Sequence, residues 1–145
     1  DAPVVAKTLL YMAYRLSHVP VTLSELATSQ EEKRRIARCF NKISGKLDSR
    51  VPKLSCEDYL PLLVTRMKID KDIEALAKSA LADQNRFSTG ANPAGVAAAA
   101  LYLASAFQDR KITQKKIAVA AGVSEVTIRA NCRTIRNRSE SKRIF

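Results

Sequence analysis

Residues 111–136, KITQKKIAVAAGVSEVTIRANCRTIR, decide the fold expected for the C-terminal part of this chain. Their apolar residues recur at helical spacing in two segments, which Gly122 separates. A glycine at this point favours a turn, because a residue without Cβ readily adopts a positive φ. Thr113 and Ser124 precede the two segments, where their hydroxyl groups can accept hydrogen bonds from the first backbone N–H groups of a helix. The stretch therefore predicts two helices joined by a short turn.

Basic side chains of the second predicted helix share one face. They recur at spacings of four and three, and they are Arg129, Arg133 and Arg136. An arginine-bearing helix after a glycine turn is typical of a helix-turn-helix motif that enters the major groove of DNA. The pattern also fits an ordinary helical hairpin with a solvated charged face. The motif alone leaves both interpretations open.

The overall charge favours a polyanionic partner. The 145 residues include 25 Lys and Arg against 14 Asp and Glu, a formal net charge of +11. From Arg110 to the end there are ten basic residues and two acidic ones. Phosphate neutralisation with release of counterions would drive much of the binding of such a chain to nucleic acid. Membrane surfaces are also anionic, but the sequence has no run of 18 apolar residues, and we expect no membrane partner.

Candidate catalytic and metal-binding groups are sparse. Cys39, Cys56 and Cys132 are widely spaced, and His18 is the only histidine. A structural zinc site normally needs four Cys or His ligands with one close pair, so we expect no metal and no cofactor. There is no glycine-rich phosphate loop and no convergent His, Cys and Asp set, so we do not expect an enzyme. The cysteines are interpreted as reduced thiols of an intracellular protein, and His18 as a loop residue.

Apolar periodicity predicts helices throughout the chain. Helices are expected over residues 3–16, after Thr22, and over residues 31–47, 57–67, 70–87 and 93–107, ahead of the two C-terminal helices. The last of these segments is the most apolar and is expected to be the central core helix. Asp70 is a predicted N-cap, and a turn is predicted over residues 88–92. Residues expected to be buried include Leu23, Leu26, Ala27, Ile36, Phe40 and Ile43.

An internal repeat organises these helices. LLYMAYRLSHVPVTLSELA, residues 9–27, aligns without a gap with ALYLASAFQDRKITQKKIA, residues 100–118, at an offset of 91. The second copy follows two further helices, which the first copy lacks. The chain is therefore expected to be a fragment of two five-helix repeats. We assign an incomplete first repeat to residues 1–47, a linker to 48–56, a complete second repeat to 57–138 and a basic C-terminal tail to 139–145.

These segments resemble the core of transcription factor IIB and its archaeal counterpart. NPAGVAAAALYLAS, TQKKIA and AAGVSEVTIR are similar to the second repeat of that family, and YRLSHVPVTLSELA and RIARCF to the end of the first. The resemblance covers nearly the whole chain, and AGVSEVTIR is its most specific part. It implies an all-α fold of tandem cyclin-like repeats, the first incomplete and the second ending in a helix-turn-helix. Two departures are His18, where glycine is usual, and the Asn131-Cys132 pair in place of a polar-aromatic pair.

The resemblance also implies a function and a set of contact residues. Family members are general initiation factors that bind the complex of TATA-binding protein with promoter DNA and help to recruit RNA polymerase. Base contacts, within an element upstream of the TATA box, are implied for Val126 and Arg129. Phosphate contacts are expected at Lys115, Lys116, Thr127 and Arg133. Contacts with TATA-binding protein are expected at Arg34, Arg35, Arg38 and Lys42, within a basic strip of the first repeat that also includes Lys33.

Other functions remain open at this point. A cyclin-like protein-interaction module without DNA binding would share the repeats, and so would a factor related to transcription factor IIB that serves RNA polymerase III. The basic strip also fits a solvated helix surface. We favour a nuclear location, which applies to a eukaryotic protein; the cytoplasm or nucleoid is expected if the protein is archaeal.

Overall fold

The computed structural model describes residues 1–47, 51–82 and 91–140, with side-chain environments up to residue 138. Within these ranges the regular secondary structure is entirely helical, so the predicted all-α fold is confirmed. The described residues form eight helices, which are α1 (Ala2–Leu16), α2 (Leu23–Leu26), α3 (Gln30–Lys46), α4 (Cys56–Met67), α5 (Lys71–Ala82), α6 (Pro93–Phe107), α7 (Gln114–Ala121) and α8 (Glu125–Glu140).

The chain divides into two compact units between Leu54 and Ser55. The first contains α1 to α3 and the second α4 to α8. Leu54 is buried, and the carbonyl of Pro52 accepts a hydrogen bond from Arg15 Nε at 2.9 Å. The hydrogen bond ties Pro52 to α1 within the first unit, and Cys56 already begins α4.

In the first unit, α1 packs against α3 through a small aromatic cluster. The rings of Tyr11 and Phe40 meet edge to face with centroids 5.1 Å apart. The guanidinium of Arg15 lies 5.6 Å and 5.4 Å from the two ring centroids, and its Nη1 donates to Tyr11 Oη at 3.1 Å. Such cation–π contacts add to the apolar packing and fix the approach of the two helices.

Burial in this unit is shallower than the sequence predicts. Ile36 is fully buried, but Phe40 and Ile43 are half-buried, and the same holds for the expected buried face of α2: Leu23, Leu26 and Ala27. The reason is geometric. The helix α2 is a single turn, and the three helices among the described residues of this unit are too few to enclose both sides of α3.

Exposed apolar residues on α1 show the same shortage of neighbours. Val5, Leu9 and Leu10 are 42%, 54% and 45% exposed. Their counterparts at an offset of 91 in α6 are Val96, Ala100 and Leu101, which are at most 1% exposed. In the second unit α4 and α5 pack against α6, whereas α1 has only α2 and α3 as contacting helices among the described residues of its unit.

The core of the second unit is built around α6, as the sequence predicts. Most of this helix is buried, and its many alanines let α4, α5, α7 and α8 all pack directly against it. Asn92 caps it by accepting a hydrogen bond from Ala94 N at 3.1 Å. Pro93 lies in the first turn, where a backbone N–H would have no partner within the helix, so its missing N–H does not destabilise the helix.

The helix α5 runs over Lys71–Ala82, and Asp70 stands directly before it, at the position expected for an N-cap. The predicted continuation of this helix to Phe87 and most of the predicted turn around Gly90 lie outside the described residues.

Backbone geometry repeats at the ends of α1 and α6. His18 and Asp109, again 91 residues apart, both adopt left-handed conformations, with φ of 55° and 57°. The hydrogen bond from Val19 N to Tyr14 O, of 2.9 Å, recurs as one from Arg110 N to Ser105 O, of 2.8 Å. Both helices therefore end in the same left-handed cap, a conformation that glycine adopts most easily. His18 therefore stands at a position where glycine would be less strained.

Candidate nucleic-acid interface

The helix α7 begins as the sequence predicts. Thr113 Oγ1 accepts a hydrogen bond from Lys116 N at 3.1 Å. The equivalent residue of the first repeat, Thr22, forms a capping box in which Glu25 Oε2 accepts from Thr22 N at 2.6 Å. At the offset of 91, Glu25 is replaced by Lys116.

The charge of the first turn of α7 is unfavourable for the helix itself. Lys115 and Lys116 lie at the end where the helix macrodipole is positive, and no acidic residue offsets them in that turn. Both side chains are exposed. Local stability therefore does not explain these lysines, whereas an anionic ligand at this end of α7 would.

The turn between α7 and α8 uses the residues that the sequence indicates. Gly122 has φ of 66°, and its neighbour Val123 donates its N–H to Ala118 O at 3.0 Å. Ser124 then caps α8, because its Oγ accepts from Thr127 N at 3.2 Å. The predicted caps and the predicted glycine turn are confirmed, and α8 is long, with 16 residues.

Close packing fixes α8 on the start of α6. A Cβ on Gly95 would lie 3.1 Å from Thr127 Cγ2 and 3.2 Å from Asn131 Nδ2, so the glycine allows the two helices to approach closely. Further along, Cys132 Sγ lies 3.8 Å from Ala99 O. Burial raises the pKa of the Cys132 thiol to about 11, so the sulfur is a neutral packing group.

The opposite side of α8 is open to solvent. Ile128, Cys132 and Ile135 are buried against the core, while Arg129, Arg133 and Arg136 are all exposed, so the three arginines share the predicted outer face. Val126 is 65% exposed on the first turn of this helix. A large aliphatic side chain beside an arginine row offers both an apolar and a hydrogen-bonding contact to one ligand surface.

Arg129 is partly held in place by neighbours that the sequence analysis did not single out. Its Nη1 lies 3.4 Å from Gln114 Oε1 on α7 and 3.7 Å from Glu125 Oε2 one turn earlier on α8. The arginine side chain is still 54% exposed. The four-residue spacing of Glu125 and Arg129 is a signal that could have indicated the ion pair, but the contact with Gln114 depends on how α7 meets α8.

The residues expected to contact phosphates have different environments. Lys115, Lys116 and Arg133 are exposed. Thr127 is half-buried, and its Oγ1 lies 3.0 Å from Ser124 Oγ while its methyl group faces Gly95. Thr127 therefore has a clear structural role at the start of α8, and its predicted phosphate contact would use only the outer part of the side chain.

The basic strip of α3 belongs to the first unit. Its residues Arg34, Arg35, Arg38 and Lys42 are exposed. Lys33 is half-buried, and its Nζ donates a hydrogen bond to Ser24 Oγ at 2.8 Å. Arg35 forms an ion pair with Asp1, and Arg38 Nη2 lies 3.4 Å from Glu31 Oε1. Exposed ion pairs of this kind contribute little to stability and are easily exchanged for other partners.

Neither a metal centre nor a membrane span is evident in the described part of the chain. No three His, Cys, Asp or Glu side chains there converge as metal ligands would. No described helix has both the length and the apolar composition that crossing a bilayer requires.

Tandem helical repeats that end in a basic, outward-facing helix define a class of protein, and comparison with known families identifies it. Residues 50–138 match the family model described as "Transcription factor TFIIB repeat". The chain therefore belongs to the TFIIB family, and its fold is that of the family's cyclin-like repeats.

Curated relatives carry the same assignment. The chain is 40% identical over 128 residues to "Transcription initiation factor IIB" of Methanococcus maripaludis (strain C7) and 36% identical over 128 residues to the protein of that name from Ignicoccus hospitalis. A third, from Caldivirga maquilingensis, is 39% identical over 123 residues. These alignments cover 86%, 86% and 83% of the chain but only 38%, 40% and 37% of the relatives. The chain thus spans about two fifths of the length of the relatives it matches.

The relatives bear on two further predictions. Their name describes initiation factors, in agreement with the prediction that the chain is not an enzyme. They come from archaea, whose cells have no nucleus, so the nuclear location that the sequence analysis favoured is not supported.

Proposed function

We propose that this chain is the promoter-binding core of a general transcription initiation factor, which binds the complex of TATA-binding protein with promoter DNA and helps to recruit RNA polymerase. The observation that carries the proposal is the outer face of α8, where Val126 and the arginines at positions 129, 133 and 136 are exposed on a helix that is firmly packed on the core. The archaeal relatives support the cytoplasm or nucleoid as its location.

The α7–α8 pair acts in this proposal as a helix-turn-helix, with α8 in the major groove upstream of the TATA box. Arg129 reads a guanine, because a guanidinium can donate to O6 and N7 together, and Val126 makes apolar contact with a base edge or a thymine methyl group. The neighbouring Gln114 and Glu125 limit the freedom of Arg129 and so reduce the entropy lost on binding.

Phosphate contacts would fix the register of the helix on the duplex. Lys115 and Lys116 at the start of α7, with Arg133 on α8, are the exposed cations placed for this role, and Thr127 contributes through its exposed edge. The basic strip of α3 would bind acidic side chains of TATA-binding protein. A TFIIB-related factor for RNA polymerase III would use the same surfaces, and the archaeal relatives favour a general factor instead.

A salt titration of DNA binding tests the proposal against a protein-interaction module that does not bind DNA. The complex with promoter DNA should weaken steeply as salt rises, with log K falling linearly against log[salt]. Competition by an unrelated duplex should be weaker than competition by the promoter fragment. A chain that shows no DNA complex at low salt, alone or together with TATA-binding protein, would refute the proposal.

A further inference from the structure

A groove with an apolar floor lies in the second unit, where the turn between α4 and α5 faces α7. Its volume is about 640 Å³. The floor is formed by Met67, Ile69, Ile73, Ile112 and Val119. Ile73 is buried, but Val119 is 76% exposed. Helix α8 contributes no residue to this groove, so it is separate from the proposed base-reading face.

The rim of the groove is strongly basic. Its cations are Arg66, Lys68, Arg110, Lys111 and Lys116, and the acidic residue that lines it is Asp70. Asp70 Oδ2 lies 3.3 Å from Arg110 Nη2. Arg66 is oriented by a hydrogen bond of 3.0 Å from its Nη1 to Ala120 O at the end of α7. All five cationic side chains are exposed, so the rim has a large excess of positive charge.

The combination of floor and rim selects the chemistry of a partner. Covering the exposed valine and the half-buried isoleucine and methionine side chains lowers the free energy only if the covering surface is apolar. Phosphates would satisfy the rim but would leave that floor in water. A partner that fits both must carry large apolar side chains next to carboxylates. We propose that this groove binds an acidic protein segment whose leucine or phenylalanine side chains enter the apolar floor. Lys116 is the one residue that the groove shares with the proposed phosphate contacts.

Fluorescence anisotropy with a defined pair of peptides tests the proposal. The first peptide, of about 14 residues, carries leucines and phenylalanines among aspartates and glutamates; the second has serine at every leucine and phenylalanine. The first should bind and the second should bind roughly tenfold more weakly, because it lacks the apolar anchors. Val119→Ser, at a site too exposed to affect folding much, should weaken the first peptide and leave the second unchanged.

A charge reversal with a matched control tests the rim. Lys68→Glu places a like charge opposite the peptide and should weaken the acidic peptide with apolar anchors about tenfold. Lys78→Glu makes the same change on an exposed residue of α5 outside the groove, and it should leave the affinity nearly unchanged. Circular dichroism of each variant would establish that it is folded.

Three results would overturn the proposal. Equal binding of the two peptides would show attraction by charge alone. Equal weakening by Lys68→Glu and Lys78→Glu would show that the groove is not the site. The third result is displacement of the peptide by a DNA duplex that lacks the upstream element. If Lys68→Glu also weakens that duplex as much as it weakens the peptide, a nucleic-acid backbone is the occupant of the groove.

Discussion

Arg129 illustrates how single side chains determine what the outer face of α8 can do. Its position on that face follows from the sequence, because the spacing to Arg133 and the apolar positions of α8 fix which side is buried. Its restraint by Gln114 does not, because the two residues are 15 apart and meet only through the packing of α7 on α8. The position of Arg129 on the helix was therefore predictable from the sequence, and the orientation of its side chain was not.

Two alanine substitutions should separate base reading from phosphate contact. Arg129→Ala should cost about 1–3 kcal/mol on a favoured upstream element and relax the preference there. Lys116→Ala should weaken binding to all sequences alike and reduce the salt slope by about 1. Anisotropy titrations with favoured and scrambled elements at several salt concentrations measure both effects. Equal loss of affinity on the two elements in Arg129→Ala would show that Arg129 does not read bases.

Glu32 ties α3 to α1 and makes the first unit sensitive to acid. Its Oε1 accepts from Lys7 Nζ at 2.6 Å, and Oε2 accepts from Thr28 N and Oγ1, each at 2.7 Å. The Lys7 ammonium and then the Thr28 donors lower the pKa of Glu32 from the usual 4.5 to about 2. The ionised carboxylate therefore stabilises the folded state above about pH 4.5, and this contribution is lost as the pH falls towards 2.

Glu32→Gln should show this linkage in thermal unfolding. Its unfolding midpoint should lie below that of the unchanged chain at pH 6, and the difference should narrow as the pH is lowered to 2.5. Glu31→Gln is the matched control, because the ion pair of Glu31 with Arg38 is highly exposed and should matter little at any pH. A difference for Glu32→Gln that stays constant across the range would contradict the assignment.

At the scale of helices, capping residues gave the most accurate predictions. Thr113, Gly122 and Ser124 act through hydrogen bonds and backbone angles within a few residues of themselves, so their sequence context is sufficient. Burial was less predictable. Phe40 and Ile43 have the spacing of core residues, yet each is half-buried, because burial depends on which other helices surround α3.

The apolar face of α1 should behave as exposed hydrophobic surface in solution. Leu9 and Leu10 together form part of that face, and the isolated chain should bind a hydrophobic dye such as ANS through it. Leu9→Gln should reduce dye binding with little loss of stability, since the side chain is already 54% exposed. Leu47→Gln, at a site 48% exposed beyond the end of α3, is the control and should change dye binding less. Unaltered dye binding by Leu9→Gln would mean that this face is covered.

The basic strip of α3 should bind TATA-binding protein. Arg38→Glu would place a like charge opposite acidic side chains of the partner, which typically costs several kcal/mol at a close contact. Folding should survive, because Arg38 is exposed and its ion pair with Glu31 is weak. Ternary-complex formation on a TATA fragment without an upstream element measures the effect, with Lys78→Glu as the charge-matched control. Unchanged assembly by a folded Arg38→Glu chain would place the docking surface elsewhere.

For the whole molecule, the internal repeat allowed the architecture to be predicted. The offset of 91 that aligns residues 9–27 with 100–118 also relates the left-handed residues His18 and Asp109 and the caps Thr22 and Thr113. The close contact of Gly95 with Thr127 and the groove beside α7 were not predictable, because each depends on residues that are distant in sequence and brought together by packing around α6.

The most direct test of the account is a gel-shift assay on a promoter fragment that contains a TATA box and a favoured upstream element. The chain should form a slower-migrating complex when TATA-binding protein is present, and replacing the upstream element should weaken that complex in the unchanged chain but not in Arg129→Ala. No ternary complex with active TATA-binding protein, or a complex that is indifferent to the upstream element, would contradict the proposal that this chain is the promoter-binding core of an initiation factor.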